Sequence, residues 1–292
     1  MPELPDITVY VERAQERMQG QVLRRIKLLN PFLLRTAVPP IASADGRKVL
    51  GAQRLGKRVV LALEGDLFLV IHLMIAGRLR WLAAGAKLPG KLALAAFEFD
   101  AGTLVLTEAG TTRRASLHLV EGVAALQALD AGGIDVMAAD LGAFKFQLVS
   151  ENHTLKRALT MPQLFSGIGN AYSDEILHRA RLSPTTLTRS LAPEAVQRLF
   201  DATREVLREW TDRLRAQSPG WPDKVTAFHP EMAVHGRYGL PCKVCGTPIQ
   251  RIVHANNETN YCARCQTGGK LLADRALSKL LKASWPKTID DL

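Results

Sequence analysis

All four cysteines of this 292-residue chain lie close together, in two Cys-x-x-Cys pairs. The pairs are Cys242 with Cys245 and Cys262 with Cys265. Each pair places two thiolates on one tight turn, and the two turns can close a tetrahedron around one Zn²⁺ ion. Because four thiolates saturate the metal, the zinc is expected to be structural and to fold a segment too small for its own core. The alternatives are a chance pairing and a redox-active dithiol.

The chain is basic, with a formal net charge of +10 and a pI near 9.7. This excess of Lys and Arg indicates a polyanionic partner, with nucleic acid ahead of a membrane surface. The alternative is a soluble basic protein without such a partner. A content of 47% hydrophobic residues excludes a disordered chain.

No targeting or membrane segment is predicted. Asp6, Glu12 and Glu16 interrupt any signal-peptide pattern at the N-terminus. The longest apolar stretch, residues 59–76, is broken by residues 64–66 and indicates two strands around a turn. Since no cysteine remains for dispersed disulfides, we expect a reducing, cytoplasmic location, associated with the nucleoid if the chain is bacterial.

The periodicity predicts an α+β multidomain protein. Residues 7–18 have helical spacing of apolar residues, with Asp6 as the N-cap. From about residue 22 to 125, short β-rich runs alternate with turns, a pattern typical of a β-sandwich that carries an N-terminal helix. Residues 125–150 are predicted to be a linker with a short helix, and residues 153–216 a helical domain.

The structure of the remaining residues, from 217 onward, is predicted from their turn-forming residues and their charge pattern. Residues 217–233 are rich in turn formers and indicate a surface loop. The residues between the cysteine pairs indicate a hairpin. A basic amphipathic helix is expected around residues 274–282, either docked on the protein's own surface or in contact with DNA or a partner.

The N-terminus offers an unusual nucleophile. If Met1 is removed, as the small Pro2 permits, the chain begins with a secondary amine beside the carboxylate of Glu3. An α-amino group titrates near pH ~8, so part of it is unprotonated and nucleophilic at neutral pH. Attack on a sugar C1′ would give an iminium ion, an electron sink that needs no cofactor.

Two turns have features of phosphate binding. Residues 166–170, Ser-Gly-Ile-Gly-Asn, precede a helix whose exposed amides can hold a phosphate, although a simple inter-helix turn is the alternative. Asp174 and Glu175 are expected in the first turn of that helix. Lys57, at the start of a strand, can reach into a cleft or be a solvated charge.

Together these residues resemble the formamidopyrimidine-DNA glycosylase/endonuclease VIII family. The matching runs are MPELPD at 1–6, LGK at 55–57, HLMIAGRL at 72–79, GIGNAYSDEIL at 167–177 and GRYGLPCKVCGTPI…YCARCQ at 236–266. They occur in the family's order over nearly the whole chain. The resemblance implies an N-terminal β-sandwich, a helix–two-turn–helix domain and a zinc finger, in an enzyme that excises oxidised bases and nicks the abasic strand.

The resemblance also implies residue roles. Pro2 matches the nucleophile, Glu3 the carboxylate that assists sugar-ring opening and proton transfer, and Lys57 a catalytic phosphate ligand. These three residues are the predicted catalytic set. Because C1′ chemistry requires access to the nucleotide, the damaged base has to be flipped out of the stack.

The DNA-binding set includes one departure from the family. His72 and Asn170 match phosphate ligands that flank the flipped nucleotide, and Lys156 matches a basic residue near the lesion pocket. Asn257 stands where the family has an arginine in the zinc-finger hairpin, and an amide binds phosphate more weakly than a guanidinium. Arg251 nearby is a candidate to compensate.

In the family, a wedge of three side chains fills the gap that the flipped base leaves in the DNA. This chain also departs from the family at these positions. The family uses Met from an HLGMSG-type loop, then Arg and Phe from an RRFG-type loop. Here Ile75, Arg113 and Ala115 occupy these positions. Arg113 can still face the orphaned base, whereas an alanine cannot fill the gap as a ring does.

The resulting hypothesis is a monomeric, bifunctional DNA glycosylase and abasic-site lyase that acts on double-stranded DNA with damaged bases or abasic sites, oxidised purines and formamidopyrimidines being favoured. The expected domains are a catalytic sandwich (1–130), a helix–two-turn–helix domain (131–235), a zinc finger (236–266) and a basic tail (267–292). The main alternative is a non-glycosylase binder of damaged or distorted DNA. A tautomerase with a proline base is a remote third alternative.

Overall fold

The computed structural model describes residues 1–110, 112–223, 225–226, 228–254, 257–272, 279–280, 284 and 286–291. The α-helices are α1 (Leu4–Met18), α2 (Val123–Gln127), α3 (Leu141–Ser150), α4 (Leu155–Thr160), α5 (Asn170–Arg179), α6 (Pro193–Gln217) and α7 (Ala263–Thr267). The strands are β1 (Val22–Leu23), β2 (Arg25–Leu28), β3 (Arg47–Leu55), β4 (Arg58–Leu63), β5 (Leu67–His72), β6 (Gly77–Leu82), β7 (Ala93–Phe99), β8 (Gly102–Glu108), β9 (Ser116–Glu121), β10 (Gln250–His254) and β11 (Asn257–Tyr261). Contacts divide the chain into two compact units. Unit 1 is Met1–Ala131 with Trp210–Thr226, and unit 2 is Gly132–Glu209 with Ala227–Leu292.

Unit 1 is a sandwich of two antiparallel sheets. One sheet has the order β1-β3-β4-β5-β9 and the other the order β2-β7-β8-β6. Its largest core draws buried residues from both sheets, and α1 packs on β3 and β4. The predicted β-sandwich with an N-terminal helix is therefore confirmed.

The five-stranded sheet is covered on both faces at β4 and β5, where successive side chains point to opposite sides. Val59 and Leu61 point into the main core, whereas Val60 and Val70 belong to a second cluster that includes Leu126 of α2. Since successive strand residues face opposite sides, a strand covered on both sides is apolar throughout. The predicted pair of strands around a turn in residues 59–76 is confirmed.

The first helix begins earlier than predicted. It starts at Leu4 with Glu3 as its N-cap, so the assignment of Asp6 as the N-cap is wrong. Pro5 is tolerated in the first turn because no helical hydrogen bond needs its missing N–H. Asp6 instead lies at the third helical position, where its carboxylate accepts the N–H of Glu3 at 2.9 Å. Pro2 and Glu3 are thereby held directly before the helix.

The end of α6 and the residues after it, Trp210–Thr226, belong to unit 1. The described residues of the predicted loop 217–233 beyond Gln217 contain no helix or strand. The indole of Trp221 donates to the carbonyl of Leu79 at 2.8 Å, and its ring lies 5.9 Å from that of Tyr10. Arg78 donates to the carbonyl of Val225 at 2.6 Å. This part of the loop is anchored to the sandwich.

Unit 2 contains α3, α4, α5, α7 and α6 as far as Glu209. Residues 125–150 are more helical than predicted, because α3 fills the last ten positions behind an N-cap, Asp140, that accepts the N–H of Ala143 at 2.8 Å. The rings of Phe144 and Phe165 lie 4.9 Å apart in its core. Residues 161–169 join α4 to α5 through turns, and the predicted helical domain is confirmed.

The zinc segment forms the predicted hairpin, β10 with β11, followed by α7. Beyond it, Leu271 packs with Tyr261 and its N–H is bonded to the carbonyl of Lys287 at 2.9 Å. The helix predicted around residues 274–282 lies outside the described residues, apart from 279 and 280. Within the described ranges, no helix has the length and apolar character needed to cross a membrane.

Substitution of Gly77 is expected to destabilise the turn that precedes β6. A Cβ at this position would lie 2.2 Å from the carbonyl oxygen of Leu73, which also accepts the N–H of Gly77. We expect Gly77→Ala to lower the free energy of unfolding by more than about 2 kcal/mol, as measured by denaturant titration. Gly220→Ala is the control, because its Cβ would meet only Arg17 at 3.8 Å. Equal stability of the two variants would contradict this prediction.

Candidate active site and zinc centre

The N-terminus of α1 is enclosed in unit 1. Pro2 and Glu3 are both buried, and Glu3 is 3% exposed. Burial lowers the pKa of the amino group at Met1, the Glu3 carboxylate opposes that change, and the cations Arg78 and Lys57 lower the pKa further. The charges of Glu3 and Lys57, two of the predicted catalytic residues, thus both act on the amino group of Met1.

Asp6 is a second carboxylate at this site that sequence reasoning assigned only to helix capping. It is 5% exposed, and burial raises its pKa to about 7, with Glu3 adding to the effect and the N–H of Glu3 opposing it. A carboxyl group with this pKa is partly protonated at neutral pH. Its position at the third residue of a capping turn is the sequence signal that could have located it.

His72 is the last residue of β5, and the neighbouring strand β4 begins directly after Lys57. Arg58 and His72 are directly paired in the sheet. The Nδ1 atom of His72 accepts the N–H of Met74 at 3.2 Å, so Nε2 carries the ring hydrogen. Burial, together with the charges of Arg58 and Lys57, lowers the pKa of His72 to about 4. His72 is therefore a neutral donor, suited to a phosphate oxygen.

The loop between β5 and β6 displays an apolar side chain. Ile75 is 61% exposed, next to Met74, whose φ of 51° is in the left-handed region. Ala115, by contrast, is 4% exposed and belongs to the sandwich core. Of the three predicted wedge positions, Ile75 and Arg113 face solvent and Ala115 does not. Arg113 donates to the carbonyl of Lys91 at 2.5 Å.

A buried carboxylate organises the loop that carries Arg113. Glu108, at the end of β8, is 2% exposed and accepts the N–H groups of Arg114 and Ala115 at 3.0 Å. Hydrogen bonds from backbone N–H groups to a carboxylate are stronger than those to a neutral acceptor. They therefore fix the backbone directly after Arg113. Nothing in the spacing of Glu108 identified this role.

In unit 2, Asn170 and Lys156 meet at the start of α5. Lys156 Nζ donates at 2.6 Å to both the carbonyl of Asn170 and Oδ1 of Asp174. The Asn170 side chain donates to the carbonyl of Glu258 at 3.0 Å. Lys156 and Asn170, both predicted to bind DNA, therefore already form hydrogen bonds within unit 2. The charge of Lys156 is paired with the buried carboxylate of Asp174.

Asp174 and Glu175 are not in the first turn of α5, contrary to the sequence-based expectation, because the helix begins at Asn170. Oδ2 of Asp174 also accepts a hydrogen bond from Nδ1 of His235 at 2.8 Å. Glu175 accepts the N–H groups of Ala233, Val234 and His235 at 2.7 to 3.0 Å. These carboxylates bind the segment that leads into the zinc finger instead of stabilising the helix dipole.

The four cysteines form one metal site. Their Sγ atoms all lie within 4.8 Å of one another, with separations of 4.0 Å for Cys242–Cys265 and 3.4 Å for Cys245–Cys262. A tetrahedron with Zn–S bonds of about 2.3 Å has edges of about 3.8 Å, so the site fits Zn²⁺. The prediction of one structural zinc is confirmed, and the ion would hold the two knuckles together without taking part in chemistry.

In the β10–β11 hairpin, Asn257 is exposed, whereas Arg251 contacts two other side chains. Asn257 is exposed at the first position of β11. The guanidinium of Arg251 lies 4.2 Å from the ring centre of Tyr238 and 3.3 Å from a carboxylate oxygen of Glu258. Arg251 is thus already engaged by a ring and a carboxylate, which weakens its candidacy as a replacement phosphate ligand.

We expect Glu108→Gln to loosen the loop that carries Arg113. The amide presents an NH₂ group to backbone N–H donors, so at least one buried bond is lost, at a cost of about 1–3 kcal/mol. Hydrogen exchange should become faster at Arg114 and Ala115. Glu98→Gln is the control, since Glu98 forms a partly exposed ion pair with Lys27 on the same sheet. Unchanged exchange at both amides would contradict the assigned role.

Asp6 is expected to make stability depend on pH between about 4 and 7. In this window the unfolded carboxyl, with its ordinary pKa of 3.8, is ionised, whereas the folded one holds its proton. The free energy of unfolding should therefore fall as pH rises, by at most about 1.4 kcal/mol per pH unit. Asp6→Asn removes this contribution, so its stability relative to the parent should increase with pH in unfolding titrations. Parallel pH profiles would contradict the assignment.

Three family models match consecutive parts of the chain. The formamidopyrimidine-DNA glycosylase N-terminal domain matches residues 1–115, the formamidopyrimidine-DNA glycosylase H2TH domain residues 135–215, and the zinc finger found in FPG and IleRS residues 239–268.

Curated relatives and solved structures agree with these matches. The formamidopyrimidine-DNA glycosylase of Thermus thermophilus is 35% identical over 92% of this chain and 100% of its own length. That of Heliobacterium modesticaldum is 34% identical over 91% and 100%. The structure of wild-type Lactococcus lactis Fpg (MutM) with DNA containing an oxidized pyrimidine has a TM-score of 0.81 and 25% identity, over 91% of this chain and 100% of that one. The crystal structure of MutM (Fpg) from Thermus thermophilus has a TM-score of 0.77 and 32% identity, over 91% and 98%. The chain therefore belongs to the formamidopyrimidine-DNA glycosylase family, whose members are DNA-repair enzymes with a zinc finger.

Proposed function

We propose that the protein is a bifunctional DNA glycosylase and abasic-site lyase that removes oxidised bases through the amine of Pro2. The observation that carries the proposal is the enclosed N-terminus of α1, where Pro2 and Glu3 are both buried directly before the helix. With Met1 in place, burial is the main cause that lowers the pKa of the Met1 amine. A similar effect on the Pro2 amine would increase its neutral, nucleophilic fraction at physiological pH. The proposal requires removal of Met1, which exposes the Pro2 nitrogen.

The proposed reaction is the one that the family resemblance implies for these residues. The Pro2 nitrogen attacks C1′ of the damaged nucleotide, the bond to the base breaks, and the base leaves with the bonding electrons and a proton. The C1′–O4′ bond then breaks as the nitrogen forms a double bond to C1′, and O4′ takes a proton with the assistance of Glu3, which also serves later proton transfers. The resulting iminium ion withdraws electrons from the sugar, so a C2′ proton is lost and the 3′ phosphate leaves by elimination. Water then releases the sugar fragment from Pro2.

DNA binding is assigned to neutral and charged donors of both units. In the proposal, His72, Arg113, Lys156, Asn170 and Asn257 contact the DNA, and Lys57 binds a phosphate near the lesion. The net charge of +10 adds a sequence-independent attraction to duplex DNA. The structurally similar Lactococcus lactis protein was solved with DNA that contains an oxidized pyrimidine. By analogy, we assign duplexes with damaged bases or abasic sites as the partner of this chain.

Oxidised purines and formamidopyrimidines are the proposed substrate class. The names of the full-length relatives support this choice. We further propose that the protein acts as a monomer in the cytoplasm, with the chemistry in residues 1–130, helical DNA binding in 131–235, the zinc finger in 236–266 and a tail in 267–292. A binder of damaged DNA without glycosylase action is the second candidate, favoured by the buried Ala115.

Borohydride trapping tests the proposed nucleophile. Incubation with a duplex that contains an abasic site or 8-oxoguanine should give a covalent protein–DNA adduct after reduction. Peptide mass spectrometry should locate that adduct on Pro2. Insertion of one alanine between Met1 and Pro2 displaces the amine, and should abolish trapping while leaving salt-dependent DNA binding intact. Pro2→Gly, which replaces the secondary amine, should also lose the adduct.

The competing functions predict different results in the same experiment. A pure DNA binder would bind the damaged duplex tightly and give no adduct, even with Met1 shown to be absent by intact mass. An adduct on a lysine would overturn the assignment of Pro2 without excluding lyase chemistry. Comparison of 8-oxoguanine, a ring-opened purine and thymine glycol would test the substrate class, and stronger trapping with thymine glycol would contradict it.

A further inference from the structure

His178 reaches the zinc site from the neighbouring helix. It lies near the end of α5, and its Nε2 atom is 3.4 Å from Sγ of Cys242. The two residues are 7% and 3% exposed, so water does not compete strongly for this contact. The four cysteines already complete a tetrahedral set, which leaves no need for His178 as a direct ligand.

The chemistry of the contact allows one direction of donation. A zinc-bound cysteine is a thiolate and has no proton, so its sulfur can only accept. Nε2 of His178 must therefore carry the hydrogen. Four thiolates around one Zn²⁺ leave excess negative charge on the sulfurs, and a donor at one of them relieves part of it.

A second set of bonds supports this connection. The Gln266 side chain accepts the N–H of Cys262 at 2.8 Å and donates to the carbonyl of Leu182 at 2.9 Å. At the other end of α5, Asn170 is bonded to the carbonyl of Glu258 in the hairpin. The helix and the zinc finger are thus joined along the length of α5.

We propose that His178 is a positioning residue of the zinc centre, which donates an Nε2–H···S hydrogen bond to the Cys242 thiolate and so strengthens zinc binding and fixes the zinc finger to α5. This role is independent of the lesion and of the proposed Pro2 chemistry. Outer hydrogen bonds to metal ligands typically change metal affinity by about 10- to 100-fold. A residue that only filled space would not have this effect.

The test uses the full-length, zinc-loaded protein and measures zinc transfer to a chromogenic chelator. His178→Phe keeps a ring but removes the donor, and should release zinc about 10-fold faster or more. His178→Gln can place an amide N–H near the position of Nε2 and should restore slow release. His178→Asn has the same amide on a shorter chain and should behave like His178→Phe. His153→Phe is the control, because His153 is bonded to Glu151 and not to a thiolate.

Cobalt substitution gives a second readout, which needs no DNA and no activity. In the Co²⁺ form, the N–H···S bond stabilises the sulfur lone pairs, so its loss in His178→Phe and His178→Asn should move the thiolate-to-cobalt charge-transfer band to lower energy. His178→Gln should retain the parent band. Folded variants with unchanged zinc release and unchanged bands would overturn the proposal. Identical behaviour of His178→Gln and His178→Asn would also overturn it, since only packing would then explain the site.

Discussion

Buried carboxylates have to find hydrogen-bond donors inside the protein, and each unit has one, Glu108 or Glu175, that finds them on the backbone of an irregular segment. Glu108 accepts the N–H groups of Arg114 and Ala115 in unit 1. Glu175 accepts three consecutive N–H groups from Ala233 onward in unit 2. An ionised side chain at 2–5% exposure would be strongly destabilising without such partners. Each carboxylate therefore enforces one conformation of a segment that has no regular secondary structure.

Helix α5 shows how far this constraint extends. Its residues Asn170, Asp174, Glu175 and His178 are polar, and the last three are buried. Their partners are Lys156, His235, the backbone before the zinc finger and a cysteine sulfur. Since each bond would leave a buried group unpaired if it were broken, the helix and the cysteine segment behave as one hydrogen-bonded assembly. The zinc finger thus depends on the helix for its orientation as well as on the metal for its fold.

The sequence was informative where a local pattern determines the structure. The spacing of the cysteines predicted the metal site, and the apolar stretch broken at residues 64–66 predicted the strands β4 and β5. The start of α1 was wrong because the spacing of apolar residues does not register Pro5 or a carboxylate that reaches back to Glu3. Tertiary partners were beyond prediction, because the pairing of Glu175 with Ala233 joins residues far apart in the chain.

Some residue roles were suggested by the sequence, and another became visible only in the structure. The catalytic and DNA-binding roles of Pro2 and Asn170 stay predictions that rest on the family pattern. The role of His178 could not be found from the sequence, because a lone histidine on a helix carries no signal until Cys242 lies beside it.

The altered wedge limits how the proposed enzyme could select its lesion. Extrusion of a nucleotide costs a few kcal/mol in lost stacking and pairing, and a wedge recovers part of this by filling the gap. With Ala115 in the sandwich core, Ile75 is the only apolar side chain of the three wedge positions that is exposed. A buried isoleucine contributes about 1.5–3 kcal/mol, less than an isoleucine and a phenylalanine together. Bases that already stack or pair poorly are cheaper to extrude. Within the proposed class of oxidised purines, a weaker wedge therefore favours ring-opened purines over 8-oxoguanine, which stays well stacked.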